Sequence, residues 1–376
     1  MSMCIVQVLP ALGQGGVERG TIEVATALQK EGIRNYVVSA GGKMVPELEK
    51  IGVEHIQLPV HSKNPVVMWL NSYRLARVFR EKGATLVHVR SRAPAWPVKW
   101  ACRRLGIPFI ASFHGVYGLK PRWLKKFYNQ VMLAGRHVIA VSNHVKQHII
   151  DNYGISSDKI TVIHRGADIV KFDPEKVSDA DVEALRQKYH IPDGLPIITL
   201  VGRLTGWKGQ RVLLDACHLM KNKDFVCLFV GSDQGRVAYR QELEQKAAEL
   251  EGKPQVVFID SCSEMPALYR LSSIVVNASL DPEAFGRTIT EAQAMGRIVV
   301  ATAHGGACET IQDGKTGFLV PVGDAQALAD CLDQVLTADA SFKAKIEKNA
   351  EESVRNNFSV QKMCDKTIAL YRHMHN

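Results

Sequence analysis

Residues 82–150 contain 12 Lys and Arg and not one Asp or Glu. Several other things are missing from the chain. No apolar run approaches the ~18 residues of a membrane-spanning helix, which excludes that class. The opening stretch, MSMCIVQVLPALGQGG, lacks the basic region of a secretory signal and reads as a strand followed by a glycine turn. Eight cysteines occur without C-x-x-C spacing, which fits buried thiols in a reducing cytoplasm better than disulfides or zinc. No H-E-x-x-H and no paired Cys/His set suggests a metal site. Short internal repeats and low-complexity tracts are absent as well.

What is present describes an ordinary soluble globular chain, with 46% hydrophobic and 23% charged residues. At roughly 100–200 residues per domain, 376 residues favour two domains. Charge is divided unevenly: residues 1–170 carry 23 basic and 10 acidic side chains, and residues 171–376 carry 24 and 28. Within the acid-free stretch, YGLKPRWLKKFYNQVML (residues 117–133) mixes Lys120, Arg122, Lys125 and Lys126 with Trp123, Phe127 and Tyr128. Basic residues are drawn to anionic lipid and aromatic rings to the headgroup layer. The stretch is therefore expected to face a membrane or an anionic acceptor; a merely solvated basic face is the bland alternative. Nucleic acid is not expected, because no recognised binding module accompanies the charge.

The first half alternates short apolar runs (CIVQVLP, NYVVSA, HIQLP, LVHV, FIASF, RHVIAVS, KITVIHRG) with helical stretches. One of these, residues 17–31, ends at Gly32. The rhythm restarts near Leu195 with PIITLVG, FVCLFVG, QVVFID, SIVVNAS and RIVVAT. Apolar strands separated by helices predict an α/β fold of parallel sheets covered on both faces. Residues 172–194 are polar and acid-rich and are expected to carry the linker. The predicted domains are 1–166, with a C-terminal helix over 358–376 of unclear attachment from periodicity alone, and 167–357. Two doubly wound domains would bind ligands at the carboxyl ends of their strands.

Five segments carry candidate chemistry. GQGGVE (residues 13–18) follows the first strand and opens a helix, where glycines and a helix N-terminus suit close approach of an anion. It falls short of G-x-G-x-x-G, and no acidic residue follows the second strand, so a dinucleotide is disfavoured; a purely structural turn remains open. In VGRLTGWKGQ (residues 201–210) Arg203 and Lys208 flank a strand-to-helix turn and would suit a diphosphate, with two solvated cations as the alternative. DPEAFGRTITEAQAMG (residues 281–296) holds Glu283 and Glu291. On one straight helix these would lie ~12 Å apart, whereas paired glycosidase carboxylates sit about 5–10 Å apart. A better reading puts residues 282–286 in a loop and starts a helix near Arg287. Each carboxylate could then hold a vicinal diol, with the amides of Phe285, Gly286 and Arg287 turned to phosphate between them; an ordinary surface glutamate and helix glutamate are the alternative. TAHGGACETIQDGKTGFLV (residues 302–320) offers backbone freedom at Gly305 and Gly306. His114, in ASFHG, ends a strand on the presumed ligand edge.

Taken in order, GGVE, HG, IAVSNHVKQHI, VIHRGADIVKFDP, GRLTGWKG, the E-x7-E element and GGACETIQDGKTGFLV resemble the retaining family 4 (group 1) glycosyltransferases of the GT-B fold, over nearly the whole chain. The resemblance implies two Rossmann-like domains and a nucleotide-sugar donor held mainly by the second, with the first on the acceptor side. It implies that Arg203 and Lys208 neutralise the donor diphosphate and that Glu291 binds the ribose. Glu283 would hold the sugar hydroxyls near the reacting carbon, supported by the Phe285 and Gly286 amides. Gly16 would admit phosphate and His114 would lie beside the sugar, while the C-terminal segment would cross back to the first domain. The expected reaction retains anomeric configuration, with no bound metal and no cofactor beyond the nucleotide-sugar co-substrate. The acceptor would be a glycan or a lipid-linked glycan, as in lipopolysaccharide or surface-polysaccharide synthesis, at the inner face of the cytoplasmic membrane. One departure stands out: HRGAD (residues 164–168) replaces a PNGVD-like segment, so Arg165 takes the place of the usual asparagine. A nucleotide-sugar epimerase and a non-catalytic nucleotide-sugar-binding protein are the competing readings.

Overall fold

The computed structural model describes residues 2–13, 15–118, 122–250 and 254–375, with only the backbone of Arg122. The chain divides into two compact units: Met1–Arg165 together with Val360–Asn376, and Gly166–Ser359. These breaks fall one residue before and two residues after the sequence boundaries.

In the first unit strands and helices alternate: β1 (Cys4–Val8), α1 (Gly16–Lys30), β2 (Arg34–Ser39), α2 (Val45–Lys50), β3 (Glu54–Gln57), α3 (Pro65–Glu81), β4 (Leu86–Val89), α4 (Arg92–Leu105), β5 (Phe109–Phe113), α5 (Arg122–Gln130), β6 (His137–Ala140), α6 (Asn143–Tyr153) and β7 (Ile160–Val162). All pairings are parallel, in the order β3-β2-β1-β4-β5-β6-β7. Burial on both faces explains why β1, β4 and β5 are apolar or buried at every position. The chain grows outward from β1, then returns to its other side as β4. That reversal opens a crevice at the carboxyl ends of β1 and β4, where sheets of this kind bind ligands.

The second unit repeats the plan: α7 (Asp179–Lys188), β8 (Ile197–Val201), α8 (Gln210–Leu219), β9 (Val226–Val230), α9 (Val237–Ala248), β10 (Gln255–Ile259), α10 (Met265–Leu271), β11 (Ile274–Asn277), α11 (Arg287–Ala294), β12 (Ile298–Thr302), α12 (Ala307–Thr310), β13 (Phe318–Val320), α13 (Ala325–Thr337) and α14 (Ala340–Asn357). Its parallel sheet runs β10-β9-β8-β11-β12-β13, so the reversal lies between β8 and β11. Apolar clusters cover both faces, one around Tyr269 and Phe285, the other around Phe225 and Phe229.

Residues 172–194 do not form a bare linker. Phe172, Val177, Leu185 and Ile191 are buried in the core of the second unit. Between them α7 is fixed by a capping box, Ser178 bonding the Asp181 amide while the Asp181 side chain accepts from the Ser178 amide. Only Leu185 of its ten residues is buried, so the helical period is faint. The strand read over residues 159–166 is also shorter. Ile163 still donates to the Ala140 carbonyl at 2.9 Å, and the chain then leaves the sheet.

The last helix, α15 (Val360–His375), belongs to the first unit. Cys364, Ile368 and Tyr371 pack with Ile5, Val24 and Leu86. The Tyr371 hydroxyl meets His88 Nδ1 at 2.5 Å, and Ser112 Oγ meets His88 Nε2 at 2.6 Å. His88 is buried, and burial, helped by Arg90 and His114, holds its pKa well below the ordinary value. The unfolded chain takes up a proton near pH 6.5 that the folded chain refuses. The contribution is therefore fully present above about pH 6.5 and is lost as the pH falls below it. Urea unfolding at pH 7.5 and pH 5.5 is expected to show this loss. Tyr371→Phe, which leaves a buried imidazole nitrogen without its partner, is expected to cost about 1–3 kcal/mol at pH 7.5.

Candidate active site

The two loops that flank the β8/β11 reversal carry most of the singled-out residues of the second unit. The first leaves β8 through Gly202 and enters α8 through Gly209, whose φ of +74° is left-handed. A Cβ on Gly209 would fall 1.9 Å from the Ala278 carbonyl oxygen, and one on Gly231 would fall 2.1 Å from the Gly202 oxygen. Only glycine lets this loop rest flat on the ends of β8, β9 and β11. The loop exposes Arg203 and lays Lys208 over the Trp207 ring at 4.6 Å.

The second loop leaves β11 and turns at Gly286 (φ +87°) into α11, whose first residue is Arg287, where the sequence placed it. Phe285 is buried against Phe358, with ring centroids 5.9 Å apart, so this residue faces the core with its side chain. Gly305 and Gly306, after β12, brace the loop from behind. The Gly306 amide donates to the Glu283 carbonyl at 2.8 Å, and a Cβ on Gly306 would fall 2.4 Å from Phe285 Cα. The glycine pair is thus a backbone support for Glu283.

The two glutamates have different partners. Glu283 forms an ion pair with Lys208 and accepts from Ser279 Oγ at 3.0 Å; the paired side chains are only 15% and 13% exposed. Glu291 faces Arg287 Nε at 3.4 Å and accepts from the Tyr269 hydroxyl at 3.4 Å. Burial, then the Glu291 charge, pushes the Tyr269 pKa well above its ordinary value, keeping the phenol protonated as a donor. Ser279 and Tyr269 were not singled out from sequence. Tyr269 lies 22 residues before Glu291 on another helix, and no spacing links them. Among the described residues, no three His, Cys, Asp or Glu side chains gather in a metal-holding group.

In the first unit the glycine loop after β1 delivers Gly16 as the first residue of α1. Gly42, after β2, comes so close that its Cβ would lie 2.2 Å from the Leu12 carbonyl oxygen. Glycine therefore stands at Gly42 for packing. His114 follows β5. Its Nε2 is buried with no hydrogen-bond partner among the described residues. Burial first, then Arg165 and Arg90, hold its pKa well below the ordinary value, so the imidazole is neutral. Arg165 is buried and donates to the Gly16 carbonyl oxygen. Its guanidinium occupies the space beside Gly20, where a Cβ would lie 2.2 Å from Nη1. The unusual cation of HRGAD therefore clamps the first turn of α1.

The basic aromatic residues from Trp123 to Tyr128 lie on α5. Lys120 lies outside the described residues, and of Arg122 only the backbone is described. On α5, Trp123 is 73% exposed, Lys125 is exposed and Lys126 half-buried.

Residues 14–171 match the model of Glycosyltransferase Family 4, and residues 181–353 match that of Glycosyl transferases group 1. A crystal structure of a glycosyltransferase from Rickettsia africae ESF-5 is 41% identical, with a TM-score of 0.93 over 99% of this chain and 98% of that one. The chain belongs to the group 1, family 4 glycosyltransferases. The chain is also similar to the D-inositol 3-phosphate glycosyltransferase of Corynebacterium glutamicum (strain R), 27% identical over 371 residues, or 91% of this chain and 88% of that one. The crystal structure of Anabaena HepE in complex with UDP-glucose shares the GT-B fold of this glycosyltransferase, with a TM-score of 0.83 at 24% identity over 98% and 99% of the two chains.

The Arg165 clamp makes one substitution change sign. Gly20→Ala drives the guanidinium from its place and its bond to Gly16, so it is expected to destabilise the native protein. In an Arg165→Ala background the obstacle is gone, and the same change is expected to stabilise by up to about 1 kcal/mol through helix propensity. Urea unfolding of the four proteins checks this; equal effects in both backgrounds would rule the clamp out.

Proposed function

We propose that this family 4 glycosyltransferase moves a sugar, with retention of anomeric configuration, from a nucleotide-sugar to a glycan or glycolipid acceptor. Its place is the inner face of the cytoplasmic membrane, in the building of lipopolysaccharide or another surface polysaccharide. The observation that carries the reading is the pair of loops at the β8/β11 reversal, which collect two cations, two carboxylates and a helix N-terminus in one compact unit. A nucleotide-sugar needs these groups: cations and amides for its diphosphate, carboxylate acceptors for its hydroxyls. The UDP-glucose complex of HepE supports a nucleotide-sugar as the donor and makes UDP-glucose the first one to try.

In this reading the Lys208–Glu283 ion pair is the resting form of the site. The incoming diphosphate draws Lys208 toward itself, with Arg203, and frees Glu283 for the sugar hydroxyls. Glu291, already oriented by Arg287 and Tyr269, accepts from the ribose. Amides of Phe285, Gly286 and Arg287 face phosphate or sugar, and the roles carried over for Gly16 and His114 belong to the same proposal. The bond from the anomeric carbon to the phosphate oxygen breaks as the bond to the acceptor oxygen forms on the same face. The acceptor proton passes to the departing phosphate. Positive charge for the leaving group comes from side chains and amides, so the reaction runs without a metal ion or further cofactor.

Nucleotide release from a panel of UDP-, GDP- and ADP-sugars, with lipid-linked and free glycan acceptors, tests the proposal. Glu283→Gln and Lys208→Ala are each expected to lower kcat/KM by about 100-fold or more, the scale seen when a charge-stabilising group is removed from an active site. Full activity in both variants would sink the assignment. Donor incubated alone should stay unchanged; a new sugar epimer would favour epimerase chemistry instead.

A further inference from the structure

Among the described residues, the first unit leaves eight large hydrophobic side chains exposed, and all lie between positions 66 and 127. The second unit's six are scattered from Val170 to Val322. Isolated exposed apolar residues need no explanation, but a cluster does. Half of the cluster is on α3, in a segment that the charge pattern did not mark. Val66, Trp69, Leu70 and Tyr73 are 64%, 51%, 40% and 48% exposed. Their spacing is i, i+3, i+4, i+7, one complete stripe along a helix. The inward face of the same helix is already satisfied by Met68, Leu75, Ala76 and Phe79, which are buried. Thus α3 carries two apolar faces and spends only one on the core.

Helix α4 links α3 to α5. In a parallel sheet every helix that follows a strand begins at the same edge, so the first turns of α3, α4 and α5 share one end of the unit. Between them α4 makes the joints. Arg104 lies over the Tyr73 ring at 4.0 Å, and Trp96 packs on Phe127 at 5.4 Å while its indole donates to the Tyr128 carbonyl. Trp123, Leu124 and Phe127 then extend the apolar surface.

Charge decides what covers it. Lys63, Arg103 and Lys125 are exposed on these segments, and Lys99 lies over Trp96 at 5.3 Å. No acid occurs in residues 82–150, and from 55 to 81 there is only Glu81, at the far end of α3. A symmetric contact with a second copy would set this cationic face against itself with no acid to pair. A bilayer with anionic headgroups supplies both the missing negative charge and the apolar layer for the rings.

We propose that the outward stripe of α3 is a lipid-inserting element that works with α5 as one surface, docking the first unit on an anionic bilayer. The proposal rests on the membrane-facing reading above and adds to it a second, larger contact. Co-sedimentation with vesicles of 30% phosphatidylglycerol in phosphatidylcholine, against phosphatidylcholine alone, tests it at 0.1 and 0.5 M NaCl. The native protein is expected to bind only the anionic vesicles, and less at high salt. Trp69→Ser with Leu70→Ser should weaken binding at least tenfold, while Trp69→Phe should restore most of it. Both positions are exposed, so far-UV circular dichroism and thermal midpoints should match the native protein. Nucleotide release with a water-soluble acceptor should also be unchanged, which separates loss of docking from loss of the transferase reading. Vesicle binding by the α3 variant equal to the native protein would overturn the proposal. So would a native dimer, by analytical ultracentrifugation, that the variant cannot form.

Discussion

The constraint on which the structure rests is the parallel pairing of every strand. Parallel neighbours need crossover helices, and the crossovers put all strand carboxyl ends and all following helix N-termini at one edge. Reversal of strand order then leaves one gap per sheet that no helix covers. In the second unit that gap is bounded by the loops after β8 and β11, and nearly every donor-site candidate of that unit stands on one of them. The cost of bringing two loops onto adjacent strand ends is steric. It is met by Gly209, Gly231, Gly305 and Gly306, where any side chain would strike a carbonyl or a Cα. These glycines shape the site through its backbone.

Electrostatics follow from the same crowding. The two glutamates that invited comparison with an acid–base pair are each tied to a cation and a hydroxyl of their own. Such pairing orients both carboxylates, an arrangement suited to accepting from hydroxyl groups. The first unit solves a different problem. It buries Arg90 and Arg165 near His114, and their charges reinforce burial in keeping that ring neutral. A neutral ring retains one donor and one acceptor nitrogen, which suits contact with a sugar hydroxyl.

Both sheets were legible in the sequence because strands buried on both faces are apolar at almost every position, a signal that needs no partner to read. LVHV and FIASF coincide with β4 and β5 residue for residue. The α11 start was legible too, since a glycine able to take a left-handed conformation precedes a polar helix. What escaped reading depends on contacts across the fold. Helix α7 hides in a polar stretch because it buries one residue of its own. Strand β13 has three residues, too few for a period. Ser279, Tyr269 and the Arg165–Gly20 contact join positions with no regular spacing. The outward stripe of α3 was masked by its inward one, since a helix apolar on two sides reads simply as a core helix. Only burial tells Trp69 from Met68.

Helix α15 has a consequence for biosynthesis. Its Tyr371 closes the hydrogen bonds of His88, yet the two residues are 283 positions apart with the entire second unit between them. On the ribosome, strands β1 to β7 emerge first but lack one wall of their core. The second unit, uninterrupted in sequence, is able to complete itself while the first is still waiting. The N-terminal half of this polypeptide is therefore the last to mature, and an interrupted message would leave its apolar face open to chaperones and proteases.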